Sequence, residues 1–452
     1  MPRLLYWNVE HFSDDKFFRR SRKRARDDDQ GWGANRGDEL RTNYLLPAIT
    51  AHDPSFIVIL EVRPGNAALL PGQLVDDVGA VNLLRSIRLT TGNQWSLVPP
   101  LMLGLRNRGE GIAVYYRRDR YFFTGPWRYP GGAGRAGRPA TVPAPGYYPA
   151  PWRRLGPAAA QSALPSRIIP GGLNPNNAGQ QENRLAGQWR FPGTAHNVHG
   201  FLRFPGPSRA FRRPFLTTFW DPVNAQTVKI MAFHAPPDQL VGGFVNDAQS
   251  VKGTRRLSFI FDIQAIAGNE IQMIVGDFNI SIFNALAVAR AYGPLGAMGF
   301  ARLINATPNQ FPDKGYVATH IATRAIAAPW WTNGYPGFEY QSVPDLFGAY
   351  DSIDNAFVRY GAGIVPPGAN NTTIVNMVAG SPYTAIAAPF GCPTGHHIYL
   401  TAMNDEPNTL NSPVGINPLA GNAWDVLEDF LDVDNYGTIR ETSDHLPLIF
   451  DY

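Results

Sequence analysis

The chain has a single cysteine, Cys392, among its 452 residues, which excludes an intrachain disulfide and any metal site built from several cysteines. No apolar run approaches the roughly 18 residues of a membrane-spanning helix, and the opening MPRLLYWNVEHF turns polar too soon for a signal peptide. We therefore expect no membrane span, no disulfide-linked partner, and a cytoplasmic protein or one exported without a cleaved signal peptide.

Glycine and proline are abundant instead, at 45 and 40 residues, more than one compact α/β core requires. We interpret the excess as long insertions at approximately 123–225, 283–342 and 361–420 in a single domain spanning 1–452. The strands on either side of each insertion still need one another. A hydrophobic content of 44% is enough for a sizeable core, and a net charge of +4 is compatible with a polyanionic partner without requiring one.

Apolar blocks typical of buried strands recur along the chain. They are RLLYWNV, SFIVILEV, GIAVYYR, VKIMAFHA, IQMIVGDFNI, NAFVRY and LPLIFDY. Stretches with helical periodicity lie between some of them, namely RTNYLLPAITAHDP, VNLLRSIRLTTG, TRRLSFIFDIQAIAGN and NAWDVLEDFLDV. Strands that alternate with helices predict an α/β sandwich.

Polar side chains interrupt these strands at their carboxyl ends, where α/β folds place ligands. Asn8 ends the first strand, Glu61 the second, and Asp277 and Asn279 follow a third. On an extended segment, residues two apart share a face, so Asp277 and Asn279 are expected to point at the same atom. Hard oxygen ligands without cysteine favour Mg²⁺ or Mn²⁺, with Ca²⁺ as an alternative, over zinc.

Two histidines stand at comparable places. His234 follows a strand in MAFHAPPD, and His445 precedes one in SDHLPL. A lone histidine at a strand end is more often structural than catalytic. Here, however, each histidine accompanies the carboxylate and amide residues above, which favours an acid–base role.

The motifs WN, LEV, GDFN and SDHLP, in that order, resemble the endonuclease/exonuclease/phosphatase superfamily, and within it deoxyribonuclease I-like enzymes. The resemblance implies a four-layered α/β sandwich of two packed mixed sheets flanked by helices. It also implies a divalent-metal-dependent endonuclease that cleaves DNA, or RNA, by in-line attack of water. The preferred partner is then nucleic acid, DNA first.

The resemblance also implies roles for individual residues. RGEGIAVYYRRD resembles the family stretch whose glutamate orients a catalytic histidine, and ILEVR resembles a strand whose arginine contacts the minor groove. The carboxylate that orients the second histidine is Asp351 or Asp354, and we prefer Asp354 because an apolar strand follows it directly. The implied set is Glu110 with His234, Asp354 with His445, Asp277 and Asn279 for water and phosphate, Glu61, Asn8 and Asp444 for metal, and Arg63 for substrate.

Two other functions share this core. A phosphatase or phosphodiesterase acting on inositol phosphates or phospholipids is one, but the chain lacks WxGDxN before the Asp-x-Asn pair and a PxWxDR-like segment. A non-catalytic binding protein is the other, although such a protein would normally have lost one of these polar residues. Arg153, Arg154, Arg212 and Arg213 are further candidates for phosphate contacts. The oligomeric state is not indicated.

Overall fold

The computed structural model describes residues 2–13, 46, 52–65, 75, 77–92, 94–98, 100, 102–103, 109–125, 212, 214–236, 248–282, 284–304, 319–321, 350–351, 353–367, 372–375, 385–387, 396–399, 443, 445 and 447–452. In chain order the strands are β1 (Arg3–Phe12), β2 (Phe56–Val62), β3 (Trp95–Val98), β4 (Gly111–Arg117), β5 (Phe122–Gly125), β6 (Phe215–Asp221), β7 (Gln226–His234), β8 (Glu270–Asp277), β9 (Ala301–Arg302), β10 (His320–Ile321), β11 (Tyr350–Asp351), β12 (Asp354–Tyr360), β13 (Thr372–Val375), β14 (Ala385–Ala387), β15 (His396–Tyr399) and β16 (Leu448–Asp451). The helices are α1 (Gly79–Thr91), α2 (Gln249–Arg256), α3 (Phe261–Gln264) and α4 (Ala285–Ala297), with a 3-10 turn at Leu257–Phe259.

Eight strands form the first sheet, in the order β14-β15-β13-β16-β1-β2-β4-β3. Its centre joins the two ends of the chain, because β1 pairs antiparallel with β16 and parallel with β2. β2 reads FIVILEV and is buried along nearly its whole length, as expected for a central strand covered on both faces. The parallel pairing brings the carboxyl ends of β1 and β2 to the same edge of the sheet.

Six strands form the second sheet, in the order β5-β6-β7-β8-β12-β9. β7 and β8 run parallel, and their register places His234 beside Asp277. β12 pairs antiparallel with β8 and places Asp354 opposite Asp277. Backbone pairing alone therefore brings His234, Asp277 and Asp354 together at one end of these three strands.

The two sheets pack face to face through aromatic side chains. The rings of Phe56 in the first sheet and Phe219 in the second lie 4.6 Å apart between centroids, and Tyr116 lies 5.0 Å from the same Phe219 ring. These side chains are at most 1% exposed. Each such burial stabilises the fold by roughly 1.5–3 kcal/mol relative to an exposed side chain.

Helices cover the outer faces. In α1 the carbonyl of Ala80 accepts a 2.8 Å hydrogen bond from the Tyr115 hydroxyl of β4. On the other sheet, α4 begins at Asn284, whose side chain caps the Ala287 N–H at 3.1 Å, and Tyr292 of α4 packs against Phe357 of β12. Helix, sheet, sheet and helix confirm the predicted four-layered α/β sandwich. None of the helices in the described residues is long and apolar enough to cross a membrane.

Elements of the two-sheet fold lie within the predicted insertions. β6 and all of β5 but its first residue lie within 123–225 and belong to the second sheet. Within 283–342, β9 belongs to the same sheet and α4 contributes residues to the core that covers it. β13, β14 and β15, from 361–420, extend the first sheet. Several of these strands have only two to four residues, which is too short for hydrophobic alternation to mark them. Much of the rest of the three segments lies outside the described residues, and the insertion bounds and the single domain over 1–452 stay predictions.

One predicted helix is interrupted. TRRLSFIFDIQAIAGN was expected to be a single helix, but α2 starts earlier, at Gln249, and the chain becomes extended at Ile260 with φ −76° and ψ 117°. Ile260 is 4% exposed and joins the core cluster over the second sheet. Its burial therefore outweighs the local helical preference. The predicted helix NAWDVLEDFLDV lies outside the described residues, as does most of RTNYLLPAITAHDP.

Candidate active site

Polar groups from both sheets meet at Asn8 of β1 and at the carboxyl ends of β2, β7 and β8. Asn8 was predicted to end the first strand, but β1 continues to Phe12, and its register with β2 becomes irregular after Asn8. Asn8 and Asp277, on different sheets, are joined by a 3.2 Å hydrogen bond from Asn8 Nδ2 to Asp277 Oδ2. Both residues are at most 2% exposed. Burial of unpaired polar groups is costly, so a cluster of this size at a sheet interface indicates a functional site.

His234 forms a hydrogen bond with Glu110. The His234 Nδ1 atom lies 2.8 Å from Glu110 Oε1, and Nε2 lies 3.3 Å from Asp277 Oδ2. Burial lowers the pKa of His234, but the carboxylates of Glu110 and Asp277 outweigh burial and raise the pKa above its ordinary value. The structure therefore brings together the predicted pair of Glu110 and His234 and favours the protonated ring.

His445 forms a hydrogen bond with Asp354, with 2.7 Å between His445 Nδ1 and Asp354 Oδ2. Ser443 and His445 are held against β1: Trp7 Nε1 donates to the carbonyl of His445 at 2.9 Å, and Ser443 Oγ donates to the carbonyl of Asn8 at 2.6 Å. Between the two aspartates considered from sequence, the structure brings Asp354 to His445. Asp354 is the first residue of β12, directly opposite Asp277.

Asp277 stands between the two histidines. Its Oδ2 lies 3.3 Å from His234 Nε2 and 3.8 Å from His445 Nε2. Burial raises the pKa of Asp277, although the two histidines oppose this shift. A carboxylate that faces two imidazoles can exchange protons with either ring or orient a water between them.

Asn279 differs from the expectation that it shares an extended face with Asp277. β8 ends at Asp277, and Asn279 adopts a left-handed conformation with φ 50°. Its backbone N–H donates to Asp277 Oδ1 at 2.8 Å, and its side-chain Nδ2 donates to the carbonyl of Ala235 at 3.0 Å. Asn279 therefore fixes the Asp277 carboxylate and the chain after His234 in place.

Glu61 lies beside Asn8, with 3.4 Å from Asn8 Nδ2 to Glu61 Oε1, and also accepts the backbone N–H of His11 at 3.0 Å. Burial alone would raise the pKa of Glu61, but His234 and the His11 N–H outweigh it and lower the pKa to about 2. Glu61 has φ 57°, a strained conformation for a non-glycine residue at a break in the β2–β4 register. The carboxylate is therefore ionised and held in one place.

The residues present fit a divalent cation. Glu61, Glu110 and His234 can each offer one ligand atom, and these three atoms lie within 4.8 Å of one another. Asn8 Oδ1 is buried without a hydrogen-bond partner. The cluster presents carboxylate and amide oxygens, and oxygen donors of this kind suit Mg²⁺, Mn²⁺ or Ca²⁺. Of the predicted ligands, Asp444 lies outside the described residues. Arg63, the predicted substrate contact, is exposed two residues after Glu61.

Sequence reasoning did not single out two residues of this cluster. Arg212 Nε lies 3.3 Å from Glu110 Oε2, whereas in the sequence Arg212 is only one of several arginines that could contact phosphate. The Tyr6 hydroxyl donates to Asp354 Oδ1 at 2.6 Å, and burial, followed by the Asp354 charge, raises the pKa of Tyr6 well above its usual range. A tyrosine within an apolar strand gives no sequence signal that distinguishes it from a core residue.

No family model and no curated protein matches the chain. Among solved structures, D. rerio TDP2 with a single-stranded DNA product is 10% identical at a TM-score of 0.41, covering 100% of this chain and 99% of that chain. An endonuclease/exonuclease/phosphatase family protein from Leptotrichia buccalis is 10% identical at a TM-score of 0.40, and the match covers 100% of this chain and 99% of that chain. A mannosyl-6-phosphatase from Bacteroides thetaiotaomicron is 8% identical at a TM-score of 0.37, and the match covers 100% of this chain and 99% of that chain. Similarities this weak bear on neither substrate nor reaction.

The sheets and the motifs agree with the resemblance inferred from sequence. WN, LEV and GDFN lie in or at the ends of β1, β2 and β8, and SDHLP leads into β16. Their polar side chains meet at one end of two packed mixed sheets that helices flank. This arrangement is the one that the resemblance inferred from the sequence motifs implies.

Proposed function

We propose that the protein is a divalent-metal-dependent phosphodiesterase, specifically a deoxyribonuclease I-like endonuclease that hydrolyses DNA in preference to RNA. One observation supports this above the others. The Nε2 atoms of His234 and His445 lie within 3.8 Å of the same oxygen, Asp277 Oδ2, and the Nδ1 atom of each ring is bonded to its own carboxylate. Phosphodiester hydrolysis needs one group to accept a proton and another to donate one, close to a single phosphate.

His445 is suited to the role of base. An ionised carboxylate can only accept hydrogen bonds, so Asp354 requires a proton on His445 Nδ1. In the neutral ring the Nε2 atom then presents a lone pair, which here faces Asn8 Nδ2 at 3.2 Å. A water molecule that takes the place of this contact would lose its proton to His445 Nε2.

His234 is suited to the role of acid. Both of its ring nitrogens face carboxylate oxygens, Glu110 Oε1 at 2.8 Å and Asp277 Oδ2 at 3.3 Å. Both nitrogens can donate only in the imidazolium, and the raised pKa of His234 favours that form. Nε2 is then positioned to pass its proton to the oxygen that leaves from phosphorus.

Glu61 and Asn8 are the residues we propose for the cation, with Asp444 as the predicted third ligand. A bound Mg²⁺ or Mn²⁺, or alternatively Ca²⁺, would neutralise negative charge on the phosphoryl oxygens. Asp277 orients the attacking water, and Asn279 holds Asp277 through its backbone N–H. Arg63, exposed at the end of β2, is proposed to contact the nucleic-acid backbone or minor groove.

The test is nicking of supercoiled plasmid by the purified protein in Mg²⁺ or Mn²⁺, with EDTA and the His234→Ala variant alongside. His52→Gln is the matched control, because His52 is also buried but lies at the opposite end of β1 and β2, where its carbonyl binds Arg3. Nicking that requires the metal and is lost in His234→Ala but not in His52→Gln would support the proposal.

The same preparations should be assayed on single-stranded RNA, inositol phosphates and phospholipid vesicles. Phosphate release from inositol phosphates or lipids without plasmid nicking would contradict DNA as the substrate but would still support metal-dependent hydrolysis of a phosphate ester. Salt-sensitive DNA binding with no hydrolysis of any substrate would overturn the enzyme assignment in favour of a binding protein.

A further inference from the structure

We propose that Tyr6 is a positioning residue that aims the Asp354 carboxylate at His445. The inference deepens the proposed function and rests on it for its kinetic consequences. Tyr6 lies in β1 of the first sheet, and Asp354 opens β12 of the second. The Tyr6 hydroxyl therefore connects the sheets at the point where the proposed base is assembled.

The two oxygens of Asp354 have separate partners. Oδ1 accepts the Tyr6 hydroxyl at 2.6 Å, and Oδ2 lies 2.7 Å from His445 Nδ1. Rotation of the carboxylate about its last side-chain bond would break both contacts together. Because that torsion has broad wells in aspartate, a second contact is needed to fix it. Tyr6 supplies this contact.

The backbone of Asp354 is held independently of Tyr6. Its N–H donates to Thr319 Oγ1 at 3.0 Å, and β12 pairs with β8 from Asp354 onward. Removal of the Tyr6 hydroxyl is therefore expected to free the carboxylate without displacing the strand. The Tyr6 hydroxyl is the donor of this hydrogen bond, because a phenol is protonated at neutral pH and the carboxylate oxygen accepts.

The hydrogen bond from Tyr6 to Asp354 also has a purely structural explanation, because a buried tyrosine needs some partner for its hydroxyl. Tyr115 provides the comparison. It is also fully buried in the first sheet, but its hydroxyl donates to the carbonyl of Ala80 in α1 at 2.8 Å, away from the site. If Tyr6 were only structural, loss of either hydroxyl would have similar effects.

The experiment compares Tyr6→Phe with Tyr115→Phe at a temperature where circular dichroism shows both variants folded. We expect Tyr6→Phe to lower kcat by about 10- to 100-fold, by analogy with the loss of hydrogen-bond partners that orient metal-ligating side chains, with KM unchanged because Tyr6 is buried. Tyr115→Phe should retain the wild-type kcat. Equal kcat values in Tyr6→Phe and wild type would overturn the proposal.

A double-mutant cycle with Asp354→Ala identifies the route of the effect. If Tyr6 acts through Asp354, Tyr6→Phe should cause no further loss of kcat in the Asp354→Ala background. The same fold-loss in both backgrounds would show a structural effect and would contradict the inference.

A measurement without substrate separates this inference from the proposed function. The His445 Nδ1–H proton, hydrogen-bonded to Asp354, should give a resolved downfield NMR signal that is broadened or lost in Tyr6→Phe and kept in Tyr115→Phe. A signal unchanged in Tyr6→Phe would overturn the inference. If Tyr6→Phe does not fold, 3-fluorotyrosine at position 6 takes its place, and it should shift the signal. Loss of the signal only in Tyr6→Phe would support the role even if the wild type hydrolysed no phosphodiester.

Discussion

The His234 imidazole lies 2.8 Å from the Glu110 carboxylate, although His234 ends a strand of the six-stranded sheet and Glu110 directly precedes a strand of the eight-stranded one. The second pair has the opposite arrangement, with His445 leading into the eight-stranded sheet and Asp354 opening β12 of the other. Each histidine therefore depends on the opposite sheet for its carboxylate. The site exists only while the two sheets are packed together.

Replacing either histidine should abolish most of the activity. His234→Ala and His445→Ala are each expected to lower kcat by about 100-fold or more, because each removes one proton-transfer group. Steady-state kinetics on the substrate cleaved by the wild type provides the measurement, with His52→Gln as the control. Retained activity in both alanine variants would exclude the acid–base assignment.

The pH profile should depend on Glu110. The carboxylate of Glu110 raises the pKa of His234, so activity that needs the imidazolium is lost as the pH rises through this raised pKa. Glu110→Gln removes the negative charge and lowers the His234 pKa. The alkaline limb of kcat against pH should therefore move to lower pH. An alkaline limb at the same pH in Glu110→Gln would show that His234 does not produce it.

Divalent cations should stabilise the folded protein through Glu61. Binding to the native state alone adds about 2.7 kcal/mol at a cation concentration of 100 times Kd. We expect Mg²⁺ or Mn²⁺ to raise Tm, EDTA to reverse the rise, and Glu61→Gln to remove it. Asp119→Asn is the control, because Asp119 is paired with Arg117 at the far end of β4. A metal-dependent rise in Tm that survives in Glu61→Gln would place the cation elsewhere.

Stability below neutral pH should depend on His52. Burial lowers the pKa of His52 to about 4, whereas an unfolded histidine titrates near 6.5. Between these values the unfolded state binds more protons, so the free energy of unfolding rises with pH, by up to about 3 kcal/mol from this group. Urea denaturation from pH 4 to 7 should show a shallower dependence in His52→Gln. Equal slopes would refute the assignment.

Gly276 should be intolerant of a side chain. A Cβ there would lie 1.8 Å from the carbonyl oxygen of Phe233, one residue before His234. Gly276→Ala should separate β7 from β8, cost about 2 kcal/mol or more, and lower kcat by displacing His234 from Asp277. Gly296→Ala, an exposed position in α4 with open space, should preserve stability or raise it slightly. Denaturation curves and kcat for both variants test this, and equal behaviour would contradict it.

Hydrophobic blocks were sufficient to predict the central strands, because buried strands are apolar on nearly every residue. Short strands such as β13 to β15 were assigned to an insertion, since a few residues carry no measurable alternation. Asn279 was expected on an extended face, but the strand ends at Asp277 and a local left-handed turn re-aims the amide. Nothing local in the sequence could show this turn.

The linear sequence was enough to identify the chemical groups of the site, which are Asn8, Glu61, His234, Asp277 and His445, and to place all of them except Asn8 at or next to strand ends. Which carboxylate contacts which histidine depends on the packing of the two sheets. The register of β12 against β8 brings Asp354 to Asp277, and the packing of the sheets brings Tyr6 to Asp354, 348 residues away. Strand order and sheet packing depend on the whole core, so contacts across the sheets have no signature in the residues around them.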